Sequence, residues 1–316
     1  MSALNDIKNF EKHHAALLVF LLIAGVFLIN IFAFSAAYSR VREARDTGVA
    51  PLVVGPEVAN SDEEEEPEPV EEVSFLNGLE PQIQEIIQRE GVDMAILVKD
   101  LQTGEVLTIN GTTTFVSASL YKIFASYEVA RQIDLGQIEP LAATGFDADA
   151  VTVQECLYRT LSYSDNPCGR ALRKLIGADD APLPAINEAG FISTSLVNDY
   201  PTTSATDVAL FFETLYEGTE FSPAVLSMLL DPLLAQEVNN RIPQGVPSDT
   251  KIAHKTADLD GYSHDAGIVY TPGGDYILTI LTGPWSNGYT DAPSAHIAIS
   301  SLVYSWFNPT VDGANY

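Results

Sequence analysis

The sequence predicts an α+β fold: one antiparallel sheet flanked by terminal helices, with an all-helical lobe inserted at about residues 119–235. Three observations carry that expectation. Two short β-branched runs, VDMAILVKD and EVLTIN, open the globular part and are joined by Gln102, Thr103 and Gly104. Three further runs of the same character, TKIAHKTA, SHDAGIVYTP and DYILTILTG, lie near its end. Between the two groups the apolar residues recur at helical spacing instead.

Taken in order, Leu79, Ile83, Ile86 and Ile87 define a first helix that Gly91 stops before the hairpin. Helical segments follow at 119–134, roughly 151–175, and 204–217, the last introduced by Thr202, Thr203 and Ser204, whose hydroxyls suit an N-cap. SPAVLSMLLDPLLAQEV adds one or two more helices. Gly273 and Gly274 supply a hairpin turn between the last two strands. A closing helix from about 292 to 307 puts Ile299, Leu302, Val303 and Trp306 on one face. The first hairpin and the last strands then join one sheet, with the helical insertion between them. No internal repeat is present.

The chain carries 16 Lys and Arg against 43 Asp and Glu, and residues 75–316 are themselves net negative. Nucleic-acid binding is excluded on that balance, because phosphate recognition needs basic surface. Residues 15–37 are uncharged and almost wholly apolar, roughly 34 Å as a helix, which predicts a single membrane span. The run is longer than a signal-peptide core, so an uncleaved anchor is favoured over a cleaved leader. Lys8 and Lys12 before it and Arg40, Arg42 and Arg45 after it leave the orientation undecided. Residues 1–14 form a short N-terminal segment. Residues 38–74 read as an acidic, solvated stalk, since the carboxylates between Asp62 and Glu72 repel and the prolines block helix growth. The domain proper is 75–316.

Ser119 and Lys122 stand three residues apart at the start of an apolar helix, on one face and within reach of each other. The unpaired amides there can face an oxyanion, and their field is expected to lower the lysine pKa, so that Lys122 could act as a base. Ser164, Asp165 and Asn166 follow where a helical pattern breaks before Pro167. Lys255, Thr256 and Ala257 lie inside a strand-like run, where a lysine has no structural excuse. Asp165 reads as a turn residue, bonding nearby amides where the helix breaks. His254 and His264 read as structural, and no His, Cys or acid spacing suggests a metal.

Three such groups in this order resemble the SxxK, SDN and KTG signatures of the class A β-lactamase and penicillin-binding protein superfamily, seen here in FVSASLYK, LSYSDNPCGRAL and HKTA. The resemblance covers essentially 75–307 and implies the β-lactamase/transpeptidase-like fold. It implies Ser119 as nucleophile and Lys122 as the base or proton relay beside it. Ser164 would pass a proton to the leaving nitrogen, and Asn166 would bind a substrate amide or hold Lys122. Lys255 and Thr256 would hold a substrate carboxylate, and the backbone amides of Ser119 and Asp258 would form the oxyanion hole. It implies a β-lactam or D-alanyl peptide as substrate, no cofactor, and no protein partner.

Two departures bear on activity. STSLVNDYPTTSATD stands where fast β-lactamases carry a glutamate that positions the deacylating water, and it contains none. Glu188 lies upstream, Asp199 is the only nearby acid, and slow deacylation is expected. Ala257 stands where glycine is usual, which narrows the approach of a ligand.

Cys156 and Cys168 would be roughly 18 Å apart in one continuous helix. If the chain breaks at Ser164–Pro167 the two pieces can fold back and the thiols can pair; otherwise they are two buried thiols. A disulfide would require an extracytoplasmic site, as would a cell-wall or antibiotic substrate, giving a single-pass cell-membrane protein with its catalytic domain outside. The expected activity is a serine β-lactamase-like hydrolase with a Ser119 acyl-enzyme. The alternatives are a D-Ala-D-Ala carboxypeptidase or penicillin-binding protein, and a catalytically weak, membrane-tethered module that binds cell-wall peptides.

Overall fold

The structure is a computed structural model that describes residues 75–145, 148, 151–178, 181–288 and 291–309. The predicted N-terminal segment 1–14, membrane span 15–37 and stalk 38–74 lie outside the described residues. Among the described residues no helix is long and apolar enough to cross a membrane.

Helix α1 (Glu80–Glu90) leads into the hairpin of β1 (Met94–Asp100) and β2 (Val106–Ile109). Gly91 ends α1 with φ 64°, and its amide bonds Ile87 O, a left-handed cap that glycine adopts without a Cβ clash. At the other end of the chain come β5 (Lys251–Leu259), β6 (Tyr262–Tyr270), β7 (Tyr276–Thr282) and the closing helix α8 (Ala292–Phe307). All five strands form one antiparallel sheet in the order β2-β1-β7-β6-β5, so the two distant groups of strand-like runs do meet. β5, which carries Lys255, is an outer strand.

The two-residue period of a strand decides which layer each side chain joins. Met94, Ile96 and Val98 of β1 and Tyr276, Leu278 and Ile280 of β7 pack with Ile83 of α1 and Ile299 and Val303 of α8. Ala95 and Leu97, with Ile277 and Leu281, point the other way and pack with the helices that follow β2. β7 is buried at every position, which is why it reads as an almost unbroken apolar run. Each fully buried Leu, Ile or Phe contributes about 1.5–3 kcal/mol to this arrangement.

The middle of the chain holds α2 (Tyr121–Asp134), α3 (Val153–Ser162), α4 (Asn166–Leu175), a short α5 (Pro184–Glu188), α6 (Ala205–Glu217) and α7 (Pro223–Leu234). Phe124 of α2 meets Phe191 edge-on at 5.1 Å, and Tyr127 meets Phe191 likewise. PAVLSMLLDPLL forms one helix after the N-cap position Ser222, with Pro223 at its start, where the missing amide costs nothing, and Pro232 in its last turn, where one amide bond is lost and the helix ends two residues later. Ser204 is the N-cap of α6, accepting from Asp207 N at 3.2 Å. Within the inserted region of about 119–235, α6 packs on β1, β6 and β7, so this part of the insertion covers the sheet. Its Phe211 shares one core with Leu97 and Leu281. A second, two-stranded sheet, β3 (Phe115–Val116) with β4 (Thr202–Thr203), was not predicted, since two residues carry no periodicity.

α3 and α4 fold back on each other across Tyr163–Asp165, and Cys156 and Cys168 form a disulfide with Cα atoms 4.9 Å apart. Both cysteines are buried. Closing a loop of this length restricts the unfolded chain, so Cys156→Ala with Cys168→Ala should lower stability by about 3 kcal/mol. Thermal unfolding of wild type and double variant checks this; identical midpoints would show that the crosslink contributes nothing.

Candidate active site

Ser119 stands in a 3-10 turn, Ala118–Leu120, directly ahead of α2. The α-helix proper thus begins two residues later than the predicted 119. The turn is fixed from both sides. Ser117 donates to Pro201 O from its amide at 2.8 Å and its hydroxyl at 3.0 Å. His264 of β6 donates from Nε2 to Val116 O at 2.8 Å and accepts the Thr282 amide on Nδ1 at 3.1 Å. That pairing specifies the neutral tautomer, and burial pushes the His264 pKa down to about 4. Ala118 sits at φ 46°, a region that costs a non-glycine residue about 1–3 kcal/mol and persists only when its surroundings over-determine it.

Lys122 lies one turn along, fully buried. Its Nζ is 3.3 Å from Ser119 Oγ, 3.0 Å from Ser164 Oγ, 2.6 Å from Ser164 O and 2.8 Å from Asn166 Oδ1. The Ser119 and Ser164 hydroxyls are therefore joined through one amine. Burial lowers the Lys122 pKa to about 8, opposed by the charge of Asp165 and aided by that of Arg170. The helix-terminal field expected from the sequence is not the principal cause; loss of hydration is. The bonding also suits a neutral amine. Two N–H bonds satisfy the carbonyl of Ser164 and the amide oxygen of Asn166, leaving the lone pair for a serine hydroxyl.

The connection between α3 and α4 holds Ser164 and Asn166 there. Asp165 N-caps α4 by accepting from Cys168 N at 2.7 Å, the turn role its residue type suggested, and Ser164 takes φ 63°. Gly169, inside α4, was not singled out from the sequence. A Cβ there would come within 2.8 Å of Lys122 Cε and 3.0 Å of the Tyr121 hydroxyl. The signal was present, since glycine in a helix interior often marks a close approach.

Lys255 of β5 is also fully buried, with Nζ donating to Thr256 O at 2.7 Å. Burial, then the charge of Lys122, lowers its pKa to about 7, so the two lysines lie close enough to repel. Thr256 and Ala257 are buried at 3% and 2% exposure. The strand therefore presents Asp258, not Thr256, at the cleft surface. Arg241, from a stretch with no motif, reaches the same place. Buried at 2%, it bonds Asp258 Oδ1 through Nη2 at 2.5 Å and Ser263 Oγ through Nε at 3.1 Å. His254 is structural, sitting between Asp265 Oδ1 and Asn239 Oδ1 at 2.9 Å each.

A cleft of about 640 Å³ opens over Ser119, lined also by Tyr121, Asn166, Arg170, Asp199 and Asp258. The acids in that lining are Asp199 and Asp258. Glu188 is elsewhere: its charge acts on Arg131, about 18 Å along α2 from Ser119 at helical rise. Among the described residues no group of three or more His, Cys, Asp or Glu side chains could hold a metal ion.

The family model described as "Beta-lactamase enzyme family" matches residues 78–307. Beta-lactamase FAR-1 of Nocardia farcinica is 24% identical over 241 residues, 67% of this chain and 77% of that protein. The fold is similar to that of PBP-A, with TM-score 0.66 and 22% identity over 74% of this chain and 97% of that one. It is likewise similar to an ancestral class A β-lactamase, with TM-score 0.65 and 22% identity over 72% and 99% of the two chains.

Both buried amines should lose their protons well below the ordinary lysine value near 10.5. Lysine-selective NMR titration is expected to show two apparent pKa values, near 7 and 8, belonging to the coupled Lys122–Lys255 pair. Titration of every lysine above pH 10 would refute the dehydrated setting of the site.

Proposed function

The chain belongs to the β-lactamase enzyme family and is a serine hydrolase, and from that premise we propose that it cleaves the amide of a β-lactam through an acyl-enzyme on Ser119 that is released slowly. The observation that carries this reading is Lys122 Nζ, within 3.3 Å of both the Ser119 and Ser164 hydroxyls. The neutral amine takes the Ser119 proton as Oγ bonds to the carbonyl carbon. The oxyanion is stabilised by the amides of Ser119 and of Asp258 on the outer strand. The C–N bond breaks as the proton passes from Lys122 through Ser164 Oγ to the leaving nitrogen. Asn166 keeps Lys122 in line, and Lys255 supplies positive charge toward a substrate carboxylate. Water must then hydrolyse the ester, and Glu188, at the end of α5, is not among the residues lining the cleft.

A D-alanyl peptidase uses the same steps, and the absence of a glutamate from the described residues lining the cleft favours it as the second reading. PBP-A, whose mutant is described as an acyl-enzyme complex with penicillin G, is a relative in fold that fits either. We also propose residues 15–37 as a membrane anchor, with the catalytic domain extracytoplasmic. The Cys156–Cys168 disulfide supports that side, because reducing compartments do not preserve such bonds.

Intact-mass analysis of the full-length protein with benzylpenicillin should show a covalent adduct that outlasts the labelling step, and none for Ser119→Ala. An adduct retained in that variant would remove Ser119 from the mechanism. The active form needs Lys122 neutral and Lys255 protonated, which is the minority arrangement of the pair, because Lys255 loses its proton near 7 and Lys122 near 8. Acylation should therefore rise with pH as Lys122 deprotonates and fall as Lys255 does, giving a bell centred between about 7 and 8. Gly169→Ala should displace Lys122 and slow acylation about 10²-fold with little change in unfolding midpoint. Unaltered kinetics would mean that the amine tolerates the shift.

A further inference from the structure

Basic residues are scarce in residues 75–316, eleven Lys and Arg against thirty Asp and Glu, yet five of the eleven gather at one cleft. Lys122, Lys255 and Arg241 are buried beside it, and Arg170 and Arg173 are in its lining. The last two have no part in the steps of acylation. They belong to α4, whereas Lys255 and Arg241 belong to β5 and the segment before it.

Asn166, Arg170 and Arg173 stand at i, i+4 and i+7 on α4, which places them on one face of the helix. All three line the cleft with Ser119. At helical rise Arg170 lies about 6 Å and Arg173 about 10 Å beyond Asn166 along the axis. Asn166 holds Lys122, so this face leads away from the reacting centre as a cationic wall. Arg173 is fixed on it. Its Nη2 donates to Asn198 O at 2.9 Å, and its guanidinium carbon lies 5.7 Å from the centre of the Tyr121 ring, within cation–π range. A carbonyl and an aromatic face leave its charge in place, and a guanidinium carries five N–H donors in a fork that matches a carboxylate. Arg170 is exposed, and its charge is felt at Lys122. Of the two acids in the lining, Asp258 is bonded to Arg241, and Asp199 shares the wall with the two arginines. Asp165 caps the start of α4 through Cys168 N.

We propose that Arg170 and Arg173 form a second anion subsite, so that the preferred acyl donor is a dianion, with one carboxylate held near Lys255 and another on the acyl side of the scissile amide. The inference rests on Ser119 as the acylated nucleophile and names the substrate class of that site. An acyl chain running from the Ser119 ester along α4 passes Asn166 and then meets Arg170. Long-range repulsion by an acidic protein works against a dianion, and cations concentrated on the wall of a cleft supply a local field of the opposite sign.

The probes are carbenicillin and benzylpenicillin, which differ by one carboxylate on the acyl side chain. Second-order acylation of the full-length protein by each is followed by intact mass. Wild type should react with carbenicillin at least as fast as with benzylpenicillin. Arg170→Gln with Arg173→Gln should lower the carbenicillin to benzylpenicillin ratio about tenfold. Arg170 is exposed, so Arg170→Gln alone gives a second variant should the double one not fold, with an expected loss of about threefold in the ratio. In wild type the ratio should fall as salt is raised from about 20 to 500 mM, because screening weakens the attraction for the added charge. A wild-type preference for benzylpenicillin of about tenfold or more, equal losses with both penicillins in the variants, or a ratio that rises with salt would overturn the proposal. If neither compound labels Ser119, the acyl-enzyme reading fails and takes this inference with it. Labelling by both, with a ratio indifferent to the arginines and to salt, defeats this inference alone.

Discussion

One dehydrated amine governs the site. Lys122 has no exposed surface, yet four oxygens surround its Nζ. Removing an ammonium from water favours the uncharged form, which is why its pKa falls to about 8. A lysine in solvent would be protonated at neutral pH and useless as a proton acceptor. The same burial makes the geometry narrow, because a polar atom in such surroundings must find its partners or be destabilised. Ser164 and Asn166 are those partners, so the turn that carries them fixes the position of the amine as much as α2 does.

The strain on either side of the amine fits this. Ala118 and Ser164 both take positive φ, and both lie next to residues pinned from elsewhere. Ser117 is tied to Pro201, and Val116 to His264. Asp165 caps α4 and donates its own amide to Arg159 O at 3.1 Å. The disulfide crosslinks α3 and α4 just outside the turn. These contacts offset a local cost of a few kcal/mol and remove alternative positions for the two hydroxyls. Loop rigidity here is therefore chemical: a hydroxyl that wandered by an ångström would lose the shared amine.

Much of this was legible in the sequence because it is local or periodic. The α1 and α8 faces, the hairpin, the three last strands and the N-cap at Ser204 all follow from spacing and residue type. The approach of Ser119 to Lys122 follows from a single helical turn. The remainder depends on contacts between distant segments. Nothing in NNRIPQG announces that Arg241 will lie against Asp258, and no pattern in TTS shows that Thr202 and Thr203 will pair with Phe115 and Val116. The main cause of the Lys122 shift, burial, is hidden from the sequence for the same reason. A helix start is visible in sequence, whereas burial by α4 through Gly169 is a tertiary fact. Thr256 shows the limit of motif reading, since its place in a signature did not predict that only 3% of it reaches solvent.

Placing two lysines and an arginine in the interior of an acidic protein raises the question of what holds their charge. For Lys122 the answer is easier loss of the proton, since dehydration lowers its pKa to about 8. Lys255 follows the same route further, because it also feels Lys122. Arg241 cannot, since a guanidinium stays protonated at any pH a protein tolerates. It needs an anion, and Asp258 provides one in the unliganded protein. The two kinds of cation therefore have different consequences for a ligand: the lysines adjust their charge to what arrives, whereas the arginine brings a counterion that must be shared or displaced.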